Sequence, residues 1–288
     1  MKAYVLGVKS RFRGENLVNQ LRGLGFDVEV VYGIDAREAE PTYLQSKVDQ
    51  KRAIAFYGHR LTAGEICCAL GHQEIQRRIA EKGEDWALVM EDDVEILAAE
   101  LNEVLTDLPQ LKAKSVVTLR LTPVSDSTPS FQSGGIRFCT KLTQPPFGTF
   151  AYFMSLGAAR IAVASESGKA ILGPSDWPLR WKTKVSFFAT NKPAVNLLDA
   201  ASEIEHERSE AEKEFGWRKS GAKSLAWRFN ALAMSFRASG VMFPAAKSFI
   251  LSPLMLRLNR VLVKIAPVLF GRQNAKPNLV KGEMGSQE

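Results

Sequence analysis

A chain of 288 residues with 45% hydrophobic content can bury one large core with extensions, or two modest ones. Its net charge of +7 is unevenly spread: residues 213–272 carry eleven Lys or Arg against one acid, Glu214, so the rest of the chain sums to about −3. That distribution excludes a uniformly basic nucleic-acid binder, and no nucleic-acid partner is expected. Cys67, Cys68 and Cys139 make no disulfide framework and fit a reducing compartment. The opening MKAYVLGVKSRFR has its basic residues after a short apolar run, the reverse of a secretory signal. No apolar stretch approaches the roughly 18 residues of a spanning helix. These features predict a cytoplasmic protein.

In chain order, KAYVLGV (2–8) reads as a buried strand, ENLVNQLRGLG (15–25) as a helix ending in glycine, and DVEVVYGI (27–34) as a second strand. A β-α-β opening predicts a parallel sheet with crossover helices. Residues 35–60 read as irregular and charged. TAGEICCALGHQEIQRRIAEKG (62–83) predicts a long helix, with Thr62 and Glu65 spaced as a capping box and Gly83 closing it. WALVMEDDVEIL (86–97) follows, an apolar strand run that stops at Glu91, Asp92 and Asp93. Further strands are expected at 115–121, 150–156 and 185–190, a short hairpin at 135–142, and a small-residue helix at 157–167. The segment GPSDWPLRW (173–181) reads as a loop or short helix. Residues 1–210 thus form an α/β body with a mainly parallel sheet, and residues after 273 form a flexible tail.

Ligands of such sheets bind at the carboxyl ends of strands, and the acidic triplet falls at such an end. Three adjacent carboxylates repel and resist ionising in a low dielectric, so they need a metal ion, a cationic partner or a helix N-terminus. The plainest reading is a helix cap or a solvated turn, although a cap needs one acid and here there are three. A hard cation, Mn²⁺ or Mg²⁺, prefers oxygen ligands and keeps positions open for phosphates. The triplet therefore suits chemistry in which a nucleoside diphosphate departs.

Three stretches together resemble glycosyltransferase family 25, the bacterial lipopolysaccharide and lipooligosaccharide galactosyltransferases. LTAGEICCALGH (61–72) is similar to the family's L-T-x-G-E-I-G-C-x-L-S-H signature, with Cys67 in place of its glycine and Gly71 in place of its serine. ALVMEDDV (87–94) resembles the hydrophobic-E-D-D motif. GTFAYFMSLGAARIAV (148–163) with GPSDWPLRW resembles the G-T-x-x-Y-x-x-S-x-x-A-A block and the aspartate after it. A fainter likeness runs from Pro193 to Ile204. Arg11 and Arg13 stand where the family carries arginines after its first strand. The resemblance implies a Rossmann-like domain of GT-A type over residues 1–210. It implies a hexosyltransferase, with UDP-galactose as the donor, inversion at the anomeric carbon giving a β-linkage, and a lipid-linked oligosaccharide as acceptor.

Within that implication, Glu91 and Asp93 are the expected metal ligands, with His206 as a third, and Asp92 bonds the donor's ribose or sugar. Asp176 is the candidate base that takes the acceptor proton; its plainer role is to cap a short helix. Glu65 and His72, two helical turns apart, share a face and are expected at the donor, or else serve as capping-box glutamate and core histidine. Gly148 and Thr149, with Gly64, imply close backbone approach to the donor or else tight turns. Trp177 and Trp181 suit sugar stacking or burial. Cys67 and Cys68 read as packing residues.

Residues 211–272 alternate apolar faces with isolated basic residues, and Arg257, Arg260 and Lys264 share one helical face. A basic amphipathic helix lies in a membrane interface, so residues 213–272 are expected to hold the enzyme on the cytoplasmic face of the inner membrane. Two other functions use the same features: a Mg²⁺-dependent phosphohydrolase, and a membrane-surface adaptor whose triplet is only a cap.

Overall fold

The computed structural model describes residues 1–51, 53, 60–120, 137–142, 146, 148–166, 170, 171, 173, 177, 181 and 184–198. Asp176, His206 and the basic segment at 211–272 lie outside these residues.

Strand β1 (Lys2–Val8) buries Ala3, Tyr4, Val5 and Leu6 in succession, the two-sided burial of a central parallel strand. Helix α1 (Glu15–Gly23) turns its Leu17, Val18 and Leu21 inward and leads to β2 (Asp27–Gly33), which pairs parallel with β1. A short helix α2 (Pro41–Lys47) follows where the sequence suggested irregular chain. Its single buried apolar residue, Leu44, leaves too little periodicity to be seen. Helix α3 (Ala63–Lys82) has the full capping box: Thr62 accepts from the Glu65 amide while Glu65 accepts from the Thr62 amide. Gly83 ends it at φ +76°, a left-handed position that favours glycine.

Strand β3 (Trp86–Glu91) returns on the other side of β1, again parallel. A short strand β4 (Val94–Ile96), helix α4 (Ala98–Asp107) and β5 (Ser115–Thr118) come next. β6 (Cys139–Lys141), β7 (Ala151–Ser155), α5 (Leu156–Glu166), β8 (Ser186–Thr190) and β9 (Val195–Leu197) complete the order. Of the expected hairpin at 135–142, the described residues 137–142 hold one edge strand, β6, paired antiparallel with β8.

The main sheet runs β2-β1-β3-β7-β5-β8-β6. Five strands point one way, and β7 and β6 oppose them, so the sheet is mainly parallel with two antiparallel insertions. Alternate side chains face opposite layers. Val5, Leu88 and Met90 pack with Leu17 and Leu21 of α1 and Leu101 of α4. Tyr4, Leu6 and Val89 pack instead with Ile75 and Ile79 of α3 and Ala158 and Ala159 of α5. With α1 on one face and α3 on the other, the chain reverses its winding between β1 and β3. Such a switch point opens a crevice at the strands' carboxyl ends. Among the described residues, no helix is long and apolar enough to cross a membrane.

Candidate functional site

The crevice between β1 and β3 is lined by the loop after β1, Asp35 after β2, and the acidic triplet after β3. Glu91 is the last residue of β3, and its amide donates to the Phe150 carbonyl at 2.8 Å. Asp92 and Asp93 form the turn into β4. β4 pairs antiparallel with β9, and the Leu198 amide donates to the Asp93 carbonyl at 2.9 Å, which pins the turn from above. Helix α4 begins only at Ala98, with Leu97 as its N-cap and no side-chain cap. None of the three acids caps a helix, which corrects that half of the plain reading, whereas Asp92 and Asp93 do stand in a turn.

The three carboxylates go to different places. Glu91 Oε1 lies 3.1 Å from His72 Nε2 and 4.0 Å from Cys68 Sγ. Asp92 Oδ2 accepts the Arg13 amide at 3.1 Å. It sits so close to β1 that a Cβ on Gly7 would fall 2.6 Å from it and 2.6 Å from the Phe12 ring, so any larger residue would displace one of these side chains. Asp93 faces the Arg13 guanidinium at 3.7 Å. Its Oδ1 is buried with no hydrogen-bond partner among the described residues.

Burial, the largest influence, together with the charges of Glu91 and Asp92 pushes the Asp93 carboxyl up to about 6, against the pull of Arg13. Asp92 is raised too, by burial first, with the Arg13 amide and guanidinium opposing. A second cation, Arg11, pairs with Asp35 at 3.4 Å, and Ser10 Oγ donates to the same carboxylate at 2.8 Å. The loop after β1 is thereby tied to the end of β2 and carries two arginines to the crevice.

His72 is buried and its Nδ1 lies 3.1 Å from the Tyr152 hydroxyl on β7. Burial pushes the Tyr152 phenol upward, with a hydrogen bond from Gln76 opposing, so it stays protonated. The Trp177 ring meets Tyr152 edge-on at 4.7 Å, and Trp181 donates its Nε1 to Ser165 Oγ at 2.8 Å. Both tryptophans are buried, 5% and 1% exposed, so they wall the site from behind and are closed to sugar stacking. Glu65 is buried in the capping box. Gly148 takes φ +82°, and Thr149 is buried one residue before Phe150, whose carbonyl holds Glu91. The structure thus brings His72, Glu91, Asp92, Asp93, Gly148 and Thr149 to one edge.

Three contributors were not singled out from the sequence. Arg13, noted only as a stand-in arginine, supplies the cation of the triplet. Tyr152 orients His72, and its sole signal was its place in the G-T-x-x-Y block. Cys68, read as a packing residue, points at Glu91, whereas Cys67 is buried among Leu44, Leu61 and Ile66. Two neighbours on one helix separate in this way because successive residues face about 100° apart. Gly71, the other departure from the signature, lets α3 approach β1: a Cβ there would meet Leu6 Cδ1 at 2.7 Å.

In an α/β sheet of this kind the winding reversal, here lined by acids and arginines, is where a ligand binds. Residues 1–166 match the family model described as glycosyltransferase family 25 (LPS biosynthesis protein), and the chain belongs to that family. It is accordingly a glycosyltransferase, taking a sugar from a nucleotide-sugar donor to a glycan acceptor. A solved glycosyltransferase involved in the glycosylation of the major capsid of PBCV-1 is similar at 13% identity, over 75% of this chain and 98% of that one, with a TM-score of 0.38. No curated protein matches.

Proposed function

We propose that the protein transfers galactose from UDP-galactose, with inversion, to a lipopolysaccharide or lipooligosaccharide core, using Mn²⁺ or Mg²⁺ in a GT-A type site. The observation that carries this reading is Asp93: a buried carboxylate oxygen without a hydrogen-bond partner among the described residues, surrounded by like charges, at the switch point of the sheet. Oxygen donors of this kind fit a hard cation. Asp93 is its first ligand, with Glu91 beside it and His206 as the third. The bound cation supplies charge stabilisation to a departing diphosphate.

Arg13, half exposed, can leave Asp93 for a phosphate oxygen as donor binds. Asp92, pinned by the Arg13 amide, holds the turn, and its other oxygen, 4.0 Å from the Arg13 guanidinium, turns to the donor's ribose or sugar as Arg13 moves to the phosphate. Gly148 and Thr149 bring backbone to the donor beside Glu91, and Glu65 and His72 lie in the helix behind it. Asp176 is the base that takes the acceptor proton. Residues 213–272 hold the enzyme on the cytoplasmic face of the inner membrane, where a lipid-linked acceptor is found.

Calorimetric titration of UDP-galactose, UDP-glucose and their N-acetyl forms tests this, with and without Mn²⁺, in wild type and Asp93→Asn. Mn²⁺-dependent binding of UDP-galactose that is lost in the variant is expected. Folded wild type that binds none of the four overturns the reading.

A further inference from the structure

The proposed donor site does not account for Cys68. We infer that Cys68, His72 and Glu91 Oε1 form a second cation site, one for a borderline d-block ion with Zn²⁺ foremost, which shares the Glu91 carboxylate with the hard-ion site at Asp93. Their ligand atoms all lie within 4.8 Å of one another. Zinc bonds of about 2.0–2.3 Å arranged tetrahedrally put neighbouring ligand atoms roughly 3.3–3.8 Å apart. The two separations from Glu91 Oε1, 3.1 Å to His72 Nε2 and 4.0 Å to Cys68 Sγ, bracket that spacing.

The framework for such a site is already rigid. Cys68 and His72 stand four apart on one face of α3, and Glu91 ends β3 with its amide held by the Phe150 carbonyl. A metal-bound histidine usually engages a partner through its other ring nitrogen, and His72 Nδ1 has the Tyr152 hydroxyl. In one tautomer Nε2–H donates to Glu91 while Nδ1 accepts from the Tyr152 hydroxyl. In the other Nδ1–H donates to Tyr152 and the Nε2 lone pair faces the Glu91 oxygen at 3.1 Å, the arrangement that a cation between them would select. A proton serves two of these atoms, whereas a cation uses all three, Cys68 Sγ included.

The donor set also selects the ion. Thiolate and imidazole favour Zn²⁺ and its neighbours over Mg²⁺ or Mn²⁺, whereas the Asp93 oxygen does the opposite. Three protein ligands leave a fourth position for water or a substrate oxygen. Glu91 and Cys68 are both half-buried, which leaves an entry path. Binding replaces the Cys68 thiol proton, released to solvent, with a sulfur–metal bond. The ion ties α3 to the carboxyl end of β3 and fixes Glu91 beside Asp92 and Asp93.

The test uses metal-stripped full-length protein and Co²⁺ as the probe, with no nucleotide sugar present, so it can fail independently of the donor reading. One equivalent of Co²⁺ is expected to give the thiolate-to-cobalt charge-transfer band and tetrahedral visible bands. These bands should appear in wild type and in Asp93→Asn, and Cys68→Ser should abolish them. Bands that persist in Cys68→Ser, or that never appear in folded, reduced wild type, overturn the inference. Should Cys68→Ser misfold, alkylation of wild type mapped by mass spectrometry decides the matter. Zn²⁺ is expected to slow modification at Cys68 at least tenfold, and an unchanged rate overturns the inference.

Discussion

The two faces of the central sheet are built differently. Under α1 and α4 the core is aliphatic and phenylalanine-rich: Val5, Leu88, Met90, Val117, Phe153 and Phe188 against Leu17, Leu21, Leu101 and Val104. Under α3 and α5 it holds Tyr4, Tyr152, Trp177 and Trp181, with His72 and Gln76 buried from α3. Ala158, Ala159 and Ala162 keep α5 low enough to lie beside α3. The first face supports the sheet with non-directional burial. The second carries polar atoms through the core to Glu91, where each group must be satisfied and each bond has a direction. Stability and chemistry therefore load opposite faces of one sheet, and substitutions can separate them.

The largest expected effect is on catalysis. Asp93→Asn should lower the turnover number by roughly 10²–10³-fold, the scale of losing a metal-stabilised leaving group, with the fold intact by circular dichroism. On the aliphatic face, Leu101→Ala removes a fully buried side chain. It should cost about 3 kcal/mol in urea unfolding while turnover, measured well below the lowered midpoint, stays within about twofold. A large turnover defect in that variant would break the separation of faces. Tyr152→Phe, on the polar face, leaves His72 Nδ1 without its hydroxyl. A loss of about 1–2 kcal/mol is expected, accompanied by a fall in turnover, which a purely structural contact would not produce.

The smallest effect is electrostatic. The Asp93 carboxyl stands at about 6 in the folded chain against 3.8 for the free side chain, so the native state holds the extra proton between those values. Its contribution therefore favours folding at low pH and is lost as pH rises through about 6. Glu29 slopes the other way at lower pH. Burial raises it, but hydrogen bonds from Lys82, Arg78 and Lys2 hold it down at about 2. The difference between metal-free wild type and Asp93→Asn across pH 4–8 isolates the Asp93 term: the variant should be the more stable partner near pH 7 and lose that advantage near pH 4.

Local features were legible in the sequence where their cause was local. The capping box of Thr62 and Glu65 and the left-handed stop at Gly83 act within one turn of α3, and both stand as the spacing implied. The apolar runs of β1 and β3 were readable because a central strand is buried on both sides. β4 and β9 were not, since three residues near 95 become a strand only through partners near 196. Helix α4 went unseen behind that small sheet.

The same division holds at the site. Composition and order marked Glu91, Asp92 and Asp93 as one acidic cluster at a strand end, and the ordered motifs carried the family. The sequence could not say that the three carboxylates part. Glu91 turns to His72 and Cys68 on α3, Asp92 to the backbone of Arg13, and Asp93 to the Arg13 guanidinium, with its Oδ1 buried and unbonded among the described residues. Adjacent side chains in a strand and its turn leave in different directions, and what each one meets is set by elements tens of residues away. The chain by itself determined which groups arrive at the edge of the sheet; the packing of α3, β7 and the loop after β1 decided the partner of each.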